Sequence, residues 1–207
     1  MRTQPAPMTR RAWLRGLGAL AAGTAGWVAG APAQAHGELG PLTPPQPLPD
    51  LVLTLHDGRR VALAPLLRGR VTALQLMFTG CSSVCPLQGA LFAQTQAQLS
   101  TSTPPLPWQL LSVSIDPLGD DARALAAWRQ RHGAGARWLA GVPALAEADL
   151  LLDRLRGRSS RGPDRHTSQV FVIDAAGRLA FRTAELADPA AIVTALRGVA
   201  GVSRRSA

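Results

Sequence analysis

From residue 51 onward the apolar positions alternate between two rhythms, a period near two and a period near four. Leu51-Val-Leu-Thr-Leu, His56-Asp57-Gly58 and Val61-Ala-Leu-Ala predict a hairpin, two short apolar runs around an Asp-Gly turn, with His56 a loop histidine. The mostly apolar run over 71–78 predicts a fully buried central strand. From Pro86 the spacing turns helical, with Leu87, Leu91, Thr95 and Leu99 four apart, until Ser-Thr-Ser-Thr-Pro-Pro ends it. Strands then follow over 108–115, 136–140 and 169–173, interleaved with helices over 120–132 and 144–155. A turn at Ala175-Ala176-Gly177, a strand over 178–182 and a helix over 189–199 close the chain. The alternation predicts an α/β domain with a largely parallel core and a late antiparallel pair. His132, at a helix end before Gly133, is expected to answer the helix dipole.

Upstream of residue 51 the character changes. Residues 1–35 hold four Arg and no acid, and the uncharged stretch over 16–35 ends in Ala-Gln-Ala, the layout of an export signal. Paired Arg10 and Arg11 and a Gly- and Ala-diluted middle are similar to the twin-arginine class. Its Gly, Thr and Pro leave the stretch less apolar than a bilayer-spanning run, so removal is expected over anchoring. Cleavage after Ala35 would leave a terminal His36. Residues 36–50 carry five of the 17 prolines and read as an extended lead-in, which places the folded domain at 51–207.

Charge adds little to this picture. The formal net charge of +9 is all arginine, and outside the first 35 residues 18 Arg stand against 13 acids, a net +5. With five Trp, four Phe and no Tyr, no arginine stripe is interleaved with stacking rings, which excludes a nucleic-acid partner. Arg154, Arg156, Arg158, Arg161 and Arg165 fall close together, either as a solvated loop or as a positive rim that steers an acidic partner.

The chemistry concentrates at Thr79-Gly80-Cys81-Ser82-Ser83-Val84-Cys85-Pro86, between a buried strand and a helix whose first turn tolerates Pro. The spacing puts Cys85 at the N-cap, where unpaired amides and the dipole stabilise a thiolate, and Cys81 about one turn earlier. Export would place this pair, the only two cysteines, in an oxidising compartment, where a plain disulfide is the simplest outcome. Two soft thiolates and one imidazole are instead a set suited to copper, as Cu(I) or Cu(II), and His166 at the mouth of the 169–173 strand is the candidate third ligand. Zinc fits less well, since a structural site wants four ligands. Asp116-Pro117 ends a strand and either lies near the site or closes a turn.

Together these segments resemble the SCO/SenC family, thioredoxin-fold proteins implicated in assembling the binuclear copper centre of cytochrome c oxidase. The likeness runs over about residues 48–199, through Cys81-Ser-Ser-Val-Cys85-Pro86, Ser112-Val-Ser-Ile-Asp116-Pro117 with Asp120 and Asp121, Arg137-Trp-Leu-Ala-Gly141, and His166-Thr167 ahead of Val-Phe-Val-Ile-Asp174. It implies a thioredoxin-like fold, a central mixed sheet flanked by helices with an N-terminal hairpin, and Cys81, Cys85 and His166 as copper ligands. It also implies a periplasmic protein that delivers copper to, or prepares, the copper-bearing subunit of the oxidase, or exchanges copper with another chaperone. Contact with a membrane would come only through that partner or an uncleaved signal. Two departures stand out: Ser82-Ser83 where the family usually has Pro-Asp, and Arg165 where it usually has Asp before the histidine. The competing reading is a thiol-disulfide oxidoreductase that uses Cys81 and Cys85 on a partner's cysteines and carries no metal; a redox or copper sensor would use the same atoms. Metal delivery would not be enzymatic in the strict sense.

Overall fold

The computed structural model describes residues 39–102, 104–158 and 166–205. The leader, with Arg10, Arg11, Ala35 and His36, lies outside them, as do Arg161, Asp164 and Arg165. No helix among the described residues is long and apolar enough to cross a membrane.

One eight-stranded sheet organises the domain. Its strands are β1 (Gly40–Pro47), β2 (Val52–Leu55), β3 (Arg60–Ala62), β4 (Val71–Met77), β5 (Trp108–Ser114), β6 (Trp138–Val142), β7 (Gln169–Ile173) and β8 (Arg178–Glu185), in the order β1-β8-β7-β4-β5-β6-β2-β3. The helices are α1 (Leu63–Leu67), α2 (Cys85–Thr101), α3 (Ala122–Arg131), α4 (Leu145–Leu155) and α5 (Pro189–Arg205). The hairpin β2–β3 forms around Gly58 at φ 82°, a conformation open to glycine without cost. The mixed sheet with its flanking helices agrees with the expected thioredoxin-like architecture.

Each face of the sheet has its own core. Val71, Ala73 and Met77 of β4 pack with Phe92 and Leu99 of α2, Trp128 of α3 and Ile192 and Leu196 of α5. The opposite face joins Leu74 and Leu76 to Leu63 and Leu67 of α1 and Leu151 and Leu155 of α4. With apolar residues needed on both sides, β4 carries no polar-apolar alternation, and all seven of its residues are buried.

Three features of the sheet and its connections differ from the sequence reading. The core is less parallel than expected: β4–β5 and β5–β6 are parallel, whereas β7 runs antiparallel to β4. Helix α4 delivers the chain to the carboxyl end of β4, where a Cβ on Gly157 would meet Leu76 Cδ1 at 2.5 Å, so β7 must enter the sheet from that end. The lead-in is not free of the sheet, because β1 pairs with β8. Its prolines lack the N–H a central strand needs but are tolerated at a sheet edge, and the register slips between Pro41 and Gln46. Leu63 and Ala64, the end of the run expected as the second hairpin strand, instead open α1.

The buried row of α2 is Cys85, Gln88, Gly89, Phe92, Thr95 and Leu99, so Leu87 is 48% exposed and the helix is rotated from the expected phase. Gly89 leaves room for the ring of His132, which lies tilted against Trp128 with centroids 4.7 Å apart. His132 caps α3, yet burial first and the Arg131 charge second hold its pKa below the ordinary value, so it packs as a neutral ring and does not act as a cation on the dipole. His56, hydrogen-bonded near Ala140, is lowered likewise by burial and then by Arg129. Both histidines therefore bind protons less readily folded than unfolded. Their contribution to stability is full above about pH 6.5 and is lost as pH falls through their lowered pKa values. Denaturant midpoints should drop between pH 7.5 and pH 5.5, and the drop should shrink in His132→Gln; an equal drop in that variant would contradict the assignment.

Candidate metal centre

The site sits where β4 ends. Past Met77 the chain turns through Phe78-Thr79-Gly80, with the Cys81 amide donating to the Phe78 carbonyl at 3.3 Å. Helix α2 opens with Cys85 as its first residue and Pro86 in its first turn, while Val84 occupies the cap and supplies no side-chain acceptor. Cys85 is thus one position inside the helix from its expected place. The missing cap is supplied by sulfur, since the Cys85 amide donates to Cys81 Sγ at 3.5 Å.

The two cysteines are not joined in a disulfide, and they are unequal. Cys85 is 1% exposed, whereas Cys81 is half-buried at the surface. Burial pushes the Cys81 pKa up, but hydrogen bonds from the Cys85 thiol and amide, and then from Ser83, outweigh it and bring the pKa below the ordinary thiol value. Ser83, one of the two residues that depart from the usual family pattern, is therefore a partner of Cys81, with Oγ 3.6 Å from Sγ.

His166 reaches the site because β7 is antiparallel to β4. With Gln75 paired to Val170, the residues preceding β7 lie beside the residues following β4. An isolated bridge between Arg158 and His166 and a 2.7 Å bond from the Thr167 amide to the Gly157 carbonyl fix the backbone there. The imidazole is 2% exposed, sits edge-on to Phe78 at 6.0 Å, and places Nε2 3.7 Å from Cys85 Sγ. Its Nδ1 is 2.9 Å from the Thr167 carbonyl oxygen, which can only accept. The proton therefore belongs on Nδ1, and the Nε2 lone pair faces the sulfur.

This donor set suits a soft ion. Ligand bonds of about 2.3 Å to sulfur and about 2.0 Å to nitrogen, opened to ~120°, separate the two donors by about 3.7 Å. The Cys85–His166 pair already has that separation. Among the described residues no three histidine, cysteine or acidic side chains converge tightly enough to enclose an ion as they stand.

The other sequence candidates are engaged elsewhere through their side chains. Asp116 closes a turn on Gly119, with the Gly119 amide 3.2 Å from Oδ1. Asp121 caps α3 through the Ala124 amide at 2.7 Å. Arg158 is spent on Asp149 and Asp153, each at 2.8 Å, so it is neutralised and adds nothing to a positive rim. Two residues near the site have roles that the sequence does not show. Asp120 holds Thr79, and Glu185 accepts from Thr167 and Ser168 at 3.3 Å each, supporting the carbonyl that orients His166.

The SCO1/SenC family model matches residues 45–201, well over half of the chain. The chain belongs to the SCO1/SenC family. No curated protein matches it by sequence. Among solved structures it is similar to a SCO1/SenC family lipoprotein from Bacillus anthracis, with a TM-score of 0.67, 22% identity, and 77% of this chain and 97% of that one covered. It is similar to copper-bound Arabidopsis thaliana ScoI, with a TM-score of 0.62, 17% identity and coverage of 76% and 98%. It is also similar to BsSco, described as containing a disulfide switch and as a member of the Sco family of cytochrome c oxidase assembly proteins, with a TM-score of 0.67, 17% identity and coverage of 81% and 99%. At these identities the structures show a shared fold. In this SCO1/SenC protein the fold brings the cysteine loop and the histidine strand to one end of the sheet.

Proposed function

We propose that this SCO1/SenC protein is an exported copper carrier that binds copper through Cys81, Cys85 and His166 and delivers it to, or prepares, the binuclear copper site of cytochrome c oxidase. The observation that carries the reading is the Cys85–His166 pair, a buried sulfur 3.7 Å from an imidazole nitrogen whose lone pair the Thr167 carbonyl keeps available. Copper is the cargo here, and thiolate and imidazole are donors that suit it. Relatives with bound copper and a link to oxidase assembly support the same direction. The export-type leader supports an oxidising destination, where holding a dithiol reduced is part of the task.

The site also favours an order of release. Cys81 lies at the surface, so a receiving thiol or imidazole reaches copper from that side and displaces Cys81 first, while the buried Cys85 and His166 let go last. The same asymmetry favours a second reading, a thiol-disulfide oxidoreductase in which Cys81 attacks and Cys85 resolves.

Titration of the reduced protein against a Cu(I)-chelating competitor separates the two. Delivery predicts one copper per chain, abolished in Cys81→Ser and in Cys85→Ser. A reduced protein that takes up no copper, yet reduces a partner disulfide, would replace delivery with the oxidoreductase reading.

A further inference from the structure

The loop that carries Cys81 begins beyond the reach of both sheet ladders. On one side the β4–β5 register ends at Met77 with Ser114; on the other, the β4–β7 register ends at Gln75 with Val170. Backbone pairing therefore stops before Thr79, two residues ahead of the cysteine. A single side chain takes over. The carboxyl of Asp120, itself 7% exposed, accepts from the Thr79 amide at 3.0 Å and from the Thr79 hydroxyl, and from the Ser114 hydroxyl at 2.6 Å. Asp120 is held in turn, because its amide donates to the Asp116 carbonyl at 2.9 Å and the Asp116 amide donates to Ser114 Oγ at 3.1 Å.

We propose that Asp120 is a positioning residue that locks the Cys81 loop onto the end of β5 and so sets how readily Cys81 and Cys85 act together. Two bonds to one residue, amide and hydroxyl, fix its orientation as well as its place. Bonds to a buried carboxylate are among the stronger hydrogen bonds in a protein. Release of the loop gives the reduced protein freedom that closing the pair removes, so the effective concentration of one thiol at the other falls. The inference rests on the dithiol reading of the site, and for its metal consequence on the copper reading.

The test equilibrates the whole protein with glutathione. Two cysteine thiols reduce one glutathione disulfide, the Cys81–Cys85 bond forms, the glutathione S–S bond breaks, and both protons end on two glutathione thiols. Asp120→Ala should lower this equilibrium constant by about tenfold. Asp120→Asn, which keeps a carbonyl oxygen for the Thr79 amide, should restore most of it. Thr79→Val removes only the hydroxyl, should lower the constant in the same direction, and should shrink the further effect of Asp120→Ala; it decides the matter if Asp120→Ala does not fold. Ile192→Ala on α5, which removes none of the loop's hydrogen bonds, should lower the melting temperature and leave the constant unchanged. An unaltered constant in the Asp120 and Thr79 variants, or an equal change in Ile192→Ala, would overturn the proposal. Copper affinity measured alongside should fall in Asp120→Ala. Should the unmodified protein bind no copper, the delivery reading fails while the glutathione constants still decide the role of Asp120.

Discussion

His166→Ala should weaken Cu(I) binding by more than about 100-fold, since losing a ligand costs more than the ~10–100-fold that follows loss of a group behind one. The ring contributes Nε2 and nothing else in the site replaces it: among the described residues no further histidine, cysteine or acid converges on the sulfurs. The variant should still close its disulfide against glutathione, because both sulfurs and the Cys85 amide contact to Cys81 remain. This divergence separates a ligand from a structural prop, since a prop would disturb both properties. Competition titration with a Cu(I) chelator reads the first and thiol trapping reads the second. Equal copper affinity in the variant would remove His166 from the ligand set.

Gly89→Ala should destabilise the fold by roughly 3 kcal/mol, which for a domain of this size lowers the melting temperature by about 6–12 °C. A Cβ there would lie 2.3, 2.4 and 2.6 Å from three atoms of the His132 ring. A ring cannot yield as a flexible chain end does, and this one is hemmed in by Trp128 and Trp138 at 4.7 and 6.4 Å between centroids. The alternative is for α2 to move outward, and α2 carries Cys85 one turn earlier. Copper affinity should therefore fall along with stability. Pairing the substitution with His132→Ala should recover most of both losses, because the added methyl then fills space that the ring vacates. Thermal unfolding of the two variants decides it, and a double variant no more stable than Gly89→Ala would show that the clash is elsewhere.

Much of this was legible in the chain, for physical reasons. The strand over 71–78 had to be buried on both faces to be so nearly free of polar residues, and the adjacency of β4 and β7 sets His166 beside Cys85. The order of site elements followed from short runs bounded by turn residues, most visibly at Gly58 and Gly177, both at positive φ.

The rest depended on information that local pattern does not hold. β1 is hidden because prolines argue against a strand until it is known to be an edge. The phase of α2 was misread because Leu87 is as apolar as Leu91, and only the His132 ring against Gly89 shows which side faces inward. The direction of β7 follows from where α4 ends, a tertiary fact. Asp120 looked like one of two acids beside a helix start; the second, Asp121, is the cap, and the first reaches back to Thr79, 41 positions earlier. Arg158 counted toward a positive rim until Asp149 and Asp153 were seen to neutralise it.

X-ray absorption at the copper edge of the reduced protein carrying one equivalent of Cu(I) tests the ligand set most directly. The account predicts two sulfur neighbours at about 2.3 Å and one imidazole nitrogen at about 2.0 Å, the nitrogen vanishing in His166→Ala. A spectrum with sulfur alone, or a nitrogen that survives the loss of His166, would contradict it.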